Sequence, residues 1–67
     1  MSESRIFTVG TFWWPDVMPS KRASAYTRWY SPEWKGCIEY KVLAKSGAEA
    51  KKIACQRRRE REEKGAQ

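Results

Sequence analysis

Histidine is absent from the 67 residues, and cysteine occurs only at Cys37 and Cys55. A self-contained structural zinc site draws on four Cys or His ligands at short paired spacings, which this chain cannot supply. The missing histidine also removes the commonest general base, and no glycine-rich phosphate loop or carboxylate pair in an apolar setting stands in its place. Neither thiol has an identified base to activate it, so the reading is a non-enzymatic protein without a cofactor, with Cys55 a small hydrophobe on a helix stripe. No apolar run approaches the roughly 20 residues that span a bilayer. Met1-Ser-Glu-Ser-Arg5 is followed by no signal-type apolar core, so the expected location is cytoplasmic with both cysteines reduced.

What the chain does have is aromatic mass. Four Trp, three Tyr and two Phe all fall between Phe7 and Tyr40, while residues 56–67 hold a single apolar side chain, Ala66. A domain of about 60 residues buries only roughly 60% of its unfolded surface, and large rings, each burying on the order of 150–250 Å², make up for a small core. The segregation predicts one domain, with an ordered core of about residues 5–55 and a charged helical tail, 56–67, projecting from it.

The net charge of +6 favours an acidic partner, yet it is evenly spread. Residues 1–45 and residues 46–67 each carry seven basic and four acidic side chains, hence +3 apiece. The sharpest basic cluster is Lys51, Lys52, Arg57, Arg58 and Arg59, with no acid between its members.

Arg5 to Trp14 is rich in β-branched and aromatic residues and reads as a strand. Side chains alternate along a strand, which sets Ile6, Thr8, Gly10, Phe12 and Trp14 against Phe7, Val9, Thr11 and Trp13, so both faces are apolar. Such a strand is either central and covered twice or has one face left for a partner. Pro15 to Ser24 reads as a loop because each proline lacks an amide donor and turns the residue before it away from helix. Residues 25–30 resume the strand signal, and Ser31 to Gly36 carries proline early and glycine late, as a reversing turn prefers. Ile38, Tyr40, Val42 and Ala44 then alternate with Glu39, Lys41 and Lys45, Leu43 being the exception. These signals predict a hairpin over residues 25–45.

Ser46-Gly-Ala-Glu49 matches a capping box and predicts a helix start. The expected apolar stripe is Ala50, Ile53 and Ala54, continuing as Arg57 and Arg61, so that about two turns pack on the sheet. The fold class expected is α+β: a three-stranded antiparallel sheet with one C-terminal helix, in the order β-β-β-α.

Two functional classes follow. Arg28 and Lys41, projecting from the sheet face opposite the helix beside exposed Trp or Tyr, suit nucleic acid, by stacking on bases or by entering a major groove. Lys51, Lys52, Arg57, Arg58 and Arg59 would then hold phosphates. The layout from Tyr26 to Cys55, with Ser46, Glu49 and Ala50 opening its helix, resembles the AP2-like three-stranded DNA-binding domains at the N-termini of phage and transposon tyrosine integrases. That resemblance implies DNA contacts at Arg28, Tyr30, Lys35 and Lys41. In size and composition the chain also looks like small accessory proteins of tailed phages, many of which bind and disable a host protein; for such a protein the cytoplasm would be that of the bacterial host. The second class is therefore protein capture on Trp13, Trp14, Trp29 and Trp34, residues of a type enriched at binding hot spots. The partner would be a host protein or a second copy of the chain. Against both stands a structural role, with Trp13 and Trp14 folded over the sheet edge and the following loop closing the other side.

Overall fold

The strand that is apolar on both faces lies in the middle. In a computed structural model, which describes residues 3–65, β1 (Arg5–Trp13) is flanked by β2 (Ala23–Tyr26) on one side and β3 (Ile38–Ala44) on the other. Both pairings are antiparallel, with Gly10 opposite Tyr26 and Trp13 opposite Ala23 on one side, and Arg5 opposite Ala44 through Thr11 opposite Ile38 on the other. A helix, α1 (Gly47–Gly65), packs across all three strands. The three-stranded sheet with one C-terminal helix is the expected α+β class.

The expected hairpin over residues 25–45 does not form. β2 and β3 occupy opposite edges, and β2 ends at Tyr26 rather than Tyr30. The chain from Thr27 to Cys37 passes from one edge to the other over the face that the helix leaves bare. At the crossing the Tyr30 ring lies on Gly10, so close that any Cβ there would collide with it. Glycine is required for that approach. Two successive turns, Trp34 N–H to Ser31 O and Cys37 N–H to Trp34 O, both 3.0 Å, then bring the chain into β3, with Gly36 at φ 83°. The turn signal in Ser31–Gly36 was real, but it serves a crossover and not a hairpin. The hairpin is instead β1 to β2, closed by Trp14 N–H on Arg22 O and by a 3-10 turn at Pro19–Lys21.

On the helix side, Val9, Val42, Ala44, Ala50 and Ala54 are buried together, with Phe7, Ala25, Tyr40 and Ile53 packed around them. Ser46 caps the helix as expected, its hydroxyl accepting from Glu49 N–H at 3.3 Å. The stripe that follows differs from the expected one. Ala50, Ala54 and Arg58, four apart, form the buried line, whereas Arg57 is exposed and Ile53 only half-buried. Arg58 is 5% exposed, so the helix is held to the sheet for three turns and not two. The projecting tail, expected from residue 56, is correspondingly shorter. Ala66 and Gln67, which that expectation included, lie outside the described residues.

Candidate functional site

Arg58 has left the basic cluster to become part of the frame. Its Nη1 donates to Thr11 O at 3.0 Å, to Thr11 Oγ1 at 3.4 Å and to Gly36 O at 2.9 Å, and its Nε pairs with Glu62 at 3.1 Å. Thr11, itself fully buried, passes its own hydroxyl proton to Ile38 O at 2.8 Å. One guanidinium thus ties the helix to β1 and to the turn before β3 through charge-assisted hydrogen bonds to their carbonyls. It cannot bind a phosphate from this position. Arg59 is tethered too, its Nη2 donating to Pro19 O and Ser20 O at 3.4 and 3.5 Å.

The remaining members of the cluster scatter, because successive helix residues turn by about 100°. Arg57 is exposed, Lys52 shares a shallow hollow with Gln56, Arg59, Glu60 and Glu63, and Lys51 points elsewhere. A run of cations in sequence is therefore not a patch in space.

Lys51 meets Arg28. Together with Tyr26, Trp29 and the helix-opening Gly47 and Ala48 they line one open hollow, without a carboxylate among its lining side chains. Trp29 stands 83% exposed beside them. Tyr26 links this hollow to an aromatic cluster on the face opposite the helix. There Phe12 is buried at the centre, with Trp14 stacked at 6.0 Å and 22°, Tyr26 edge-on at 5.7 Å and 70°, and Trp34 tilted at 5.7 Å and 44°. The outer surfaces of Trp14, Tyr26 and Trp34 remain half-exposed. Trp14 is anchored by its indole N–H on Ser24 Oγ at 3.1 Å.

The other expected contacts fall apart from these. Arg28 follows β2 and Lys41 sits exposed on β3, so the two lie at opposite edges instead of on a shared face. Lys35 is exposed in the turn beside Trp34. Tyr30 is a cover, not a free ring: besides lying on Gly10 it donates its hydroxyl proton to Glu39 Oε2 at 3.0 Å. Burial, reinforced by that carboxylate, raises its pKa above the ordinary phenol value. Burial likewise raises the Cys37 thiol, against the opposing pull of Arg58. Cys55 donates to Ala23 O at 3.1 Å, and both cysteines are free.

The four tryptophans do not share one surface. Strand alternation sends Trp13 to the helix side, where it lines a cleft with Pro15, Arg22, Arg61 and Glu62, while Trp14 and Trp34 flank Phe12 on the other. Phe12 and Tyr26, which organise that cluster, were not singled out from the sequence. The signal for Phe12 was present in the even-numbered apolar face of β1, but Tyr26 gave none, because its role depends on where the crossover runs. Among the described residues no group of three or more His, Cys, Asp or Glu comes together as a metal site, and no helix is long and apolar enough to cross a membrane. The chain matches no known family model, no curated protein and no solved structure.

Proposed function

We propose that the protein is a non-catalytic, cytoplasmic nucleic-acid-binding module that takes a single strand across its aromatic row, with phosphates held by Arg28 and Lys51. The observation that carries this reading is the carboxylate-free hollow in which Arg28 and Lys51 converge beside the exposed Trp29. Tyr26, Trp14 and Trp34 continue the row away from it. Bases of any sequence stack on such rings at about 1–3 kcal/mol each, and flanking cations follow the backbone. A single strand suits this surface better than a duplex groove. A ribbon entering a groove needs a bare face, and here Tyr30 and Trp34 cover the face opposite the helix.

Titration of a labelled single-stranded oligonucleotide, followed by anisotropy at several salt concentrations, tests the proposal. Log affinity should fall with log salt by about 0.7 per phosphate held. Arg28→Gln and Lys51→Gln should each lower that slope by about 0.7, and Trp29→Ala should weaken binding by about 1–3 kcal/mol at every salt concentration. No binding at low salt would reject the reading.

A second reading, capture of a host protein by a phage-encoded accessory protein, is favoured by one feature. Val17 and Met18, the latter 64% exposed, put aliphatic surface on the loop that follows Trp14, which base stacking does not use. Under this reading Met18→Ala and Trp14→Ala remove binding and Lys51→Gln does not.

A further inference from the structure

We infer that β3 is a dimerisation edge: two copies of the chain pair through it, antiparallel about a twofold axis at Tyr40, to form one six-stranded sheet. The inference is independent of the nucleic-acid reading, whose hollow lies next to β2 at the other edge.

The two edges of this sheet differ. β2 is four residues long, whereas β3 runs for seven without proline, glycine or a break in its register with β1. Among the described residues, no backbone or side-chain hydrogen bond outside that pairing reaches residues 39–44 other than Tyr30 on the Glu39 side chain. A long, regular edge with unpaired amides is a template for another strand.

Sequence selects the partner strand. In a twofold pair the axis must pass through a residue, since an axis between residues would set outward-facing amides of one strand against inward-facing amides of the other. Three centres keep at least five strand residues paired. Centred on Lys41, two ammonium groups face each other. Centred on Val42, Lys41 faces Leu43. Centred on Tyr40, Glu39 faces Lys41 of the second copy, and the pair occurs twice by symmetry. Directly opposed charges of opposite sign stabilise a ladder and like charges destabilise it, so charge picks the Tyr40 register.

The same register also brings apolar side chains together across the edge. On the helix side, Ile38 would meet Val42 and Tyr40 its own counterpart. Cys55 reaches β2, so Ile53, about 200° away round the helix, lies on the β3 flank, where it and Tyr40 are half-buried. The two helices would lie on the same side of the joint sheet. With strands about 4.8 Å apart, helices centred over each β1 sit roughly 14 Å apart, wide enough for their diameter and for these side chains between them.

Sedimentation equilibrium of the full chain over a range of concentrations tests this. The wild type should self-associate to a dimer. Glu39→Lys alone and Lys41→Glu alone should each weaken the dimer by on the order of tenfold or more, since each turns two attractive pairs into repulsive ones. An equimolar mixture of the two variants should restore dimerisation, because each then offers the charge the other lacks. Among the described residues Lys41 makes no side-chain hydrogen bond or ion pair within the chain, so the test survives even if Glu39→Lys, which loses the Tyr30 hydrogen bond, fails to fold. A wild type that stays monomeric at all concentrations would overturn the inference. So would a dimer indifferent to Lys41→Glu, or one lost on Trp34→Ala instead.

Discussion

The two faces of this sheet solve one problem in opposite ways. On the helix side, small residues make a thin core: Ala44, Ala50 and Ala54 lie against Val9 and Val42, and backbones approach closely enough to bury all five. On the other side no helix is available, and large rings from an irregular connection do the covering, with Tyr30 close upon Gly10 and Trp34 against Phe12. The helix side is closed at its far end by a charge, Arg58. The crossover side stays open at its margins, with Trp14, Tyr26 and Trp34 half-exposed. A helix of alanines can seal a face because it supplies its own backbone hydrogen bonds; a crossing loop cannot, and leaves ring surface available to a partner. The two faces of one strand are thus covered by different means, one by small residues of a helix and the other by rings of a loop.

Removing Arg58 should break this division most severely. Arg58→Ala takes a donor from the Thr11 and Gly36 carbonyls, which should cost about 1–3 kcal/mol in chemical denaturation for each buried group left unpaired, while Glu62, the more exposed partner of the ion pair, can turn to water. Arg58→Met, which keeps the packing volume, should recover only part of that loss, because the carbonyls stay unpaired. Full recovery would mean that the side chain acts through its volume alone.

On the crossover side the corresponding test is Gly10→Ala, which drives a methyl group into the Tyr30 ring and should cost about 1–3 kcal/mol, as overpacking does. Adding Tyr30→Ala should make the Gly10 substitution nearly silent. Additive losses in that double-mutant cycle would show that the crossover does not press on Gly10.

Ile53→Ala and Ser46→Ala should have smaller effects. Ile53 is half-buried, so its truncation should fall below the usual 2–5 kcal/mol of a core site, at roughly 1–2 kcal/mol. Loss of the cap should cost about 1 kcal/mol. A melting temperature unchanged by Ser46→Ala would place the helix start elsewhere.

The smallest effect is on alkaline stability. Tyr30 and Cys37 both hold their protons more tightly in the folded chain than when unfolded. The folded state therefore binds more protons between the ordinary and the raised values, and stability is whole below the ordinary thiol range and declines as pH rises through the raised values. The urea midpoint should fall over that window, and less steeply in Tyr30→Phe. A flat profile would contradict the burial of both groups.

The tests also separate what was legible in the residue order from what was not. The β3 alternation of Ile38, Tyr40, Val42 and Ala44 and the Ser46 cap are carried by neighbours two to four positions apart, and both could be read directly. So could the two-sided apolarity of β1, which demanded cover on both faces. The residue order left open whether the second cover would come from this chain or from a partner, and the chain supplies it by routing a loop across that face. The basic cluster was misread because adjacency along the chain was taken for adjacency in space.

By itself, then, the amino-acid order determined the class of the fold, the start of the helix and the side of β3 that faces it, because backbone geometry imposes periods of 2.0 and 3.6 residues on local contacts. Only the tertiary structure decided that β1 would lie between its two partners, that residues 27–37 would cross Gly10, and that Arg58 rather than Arg57 would turn inward. Those outcomes depend on groups as far apart in sequence as Thr11 and Arg58. A guanidinium is buried only where carbonyls wait for it, and their positions exist only once the strands have paired.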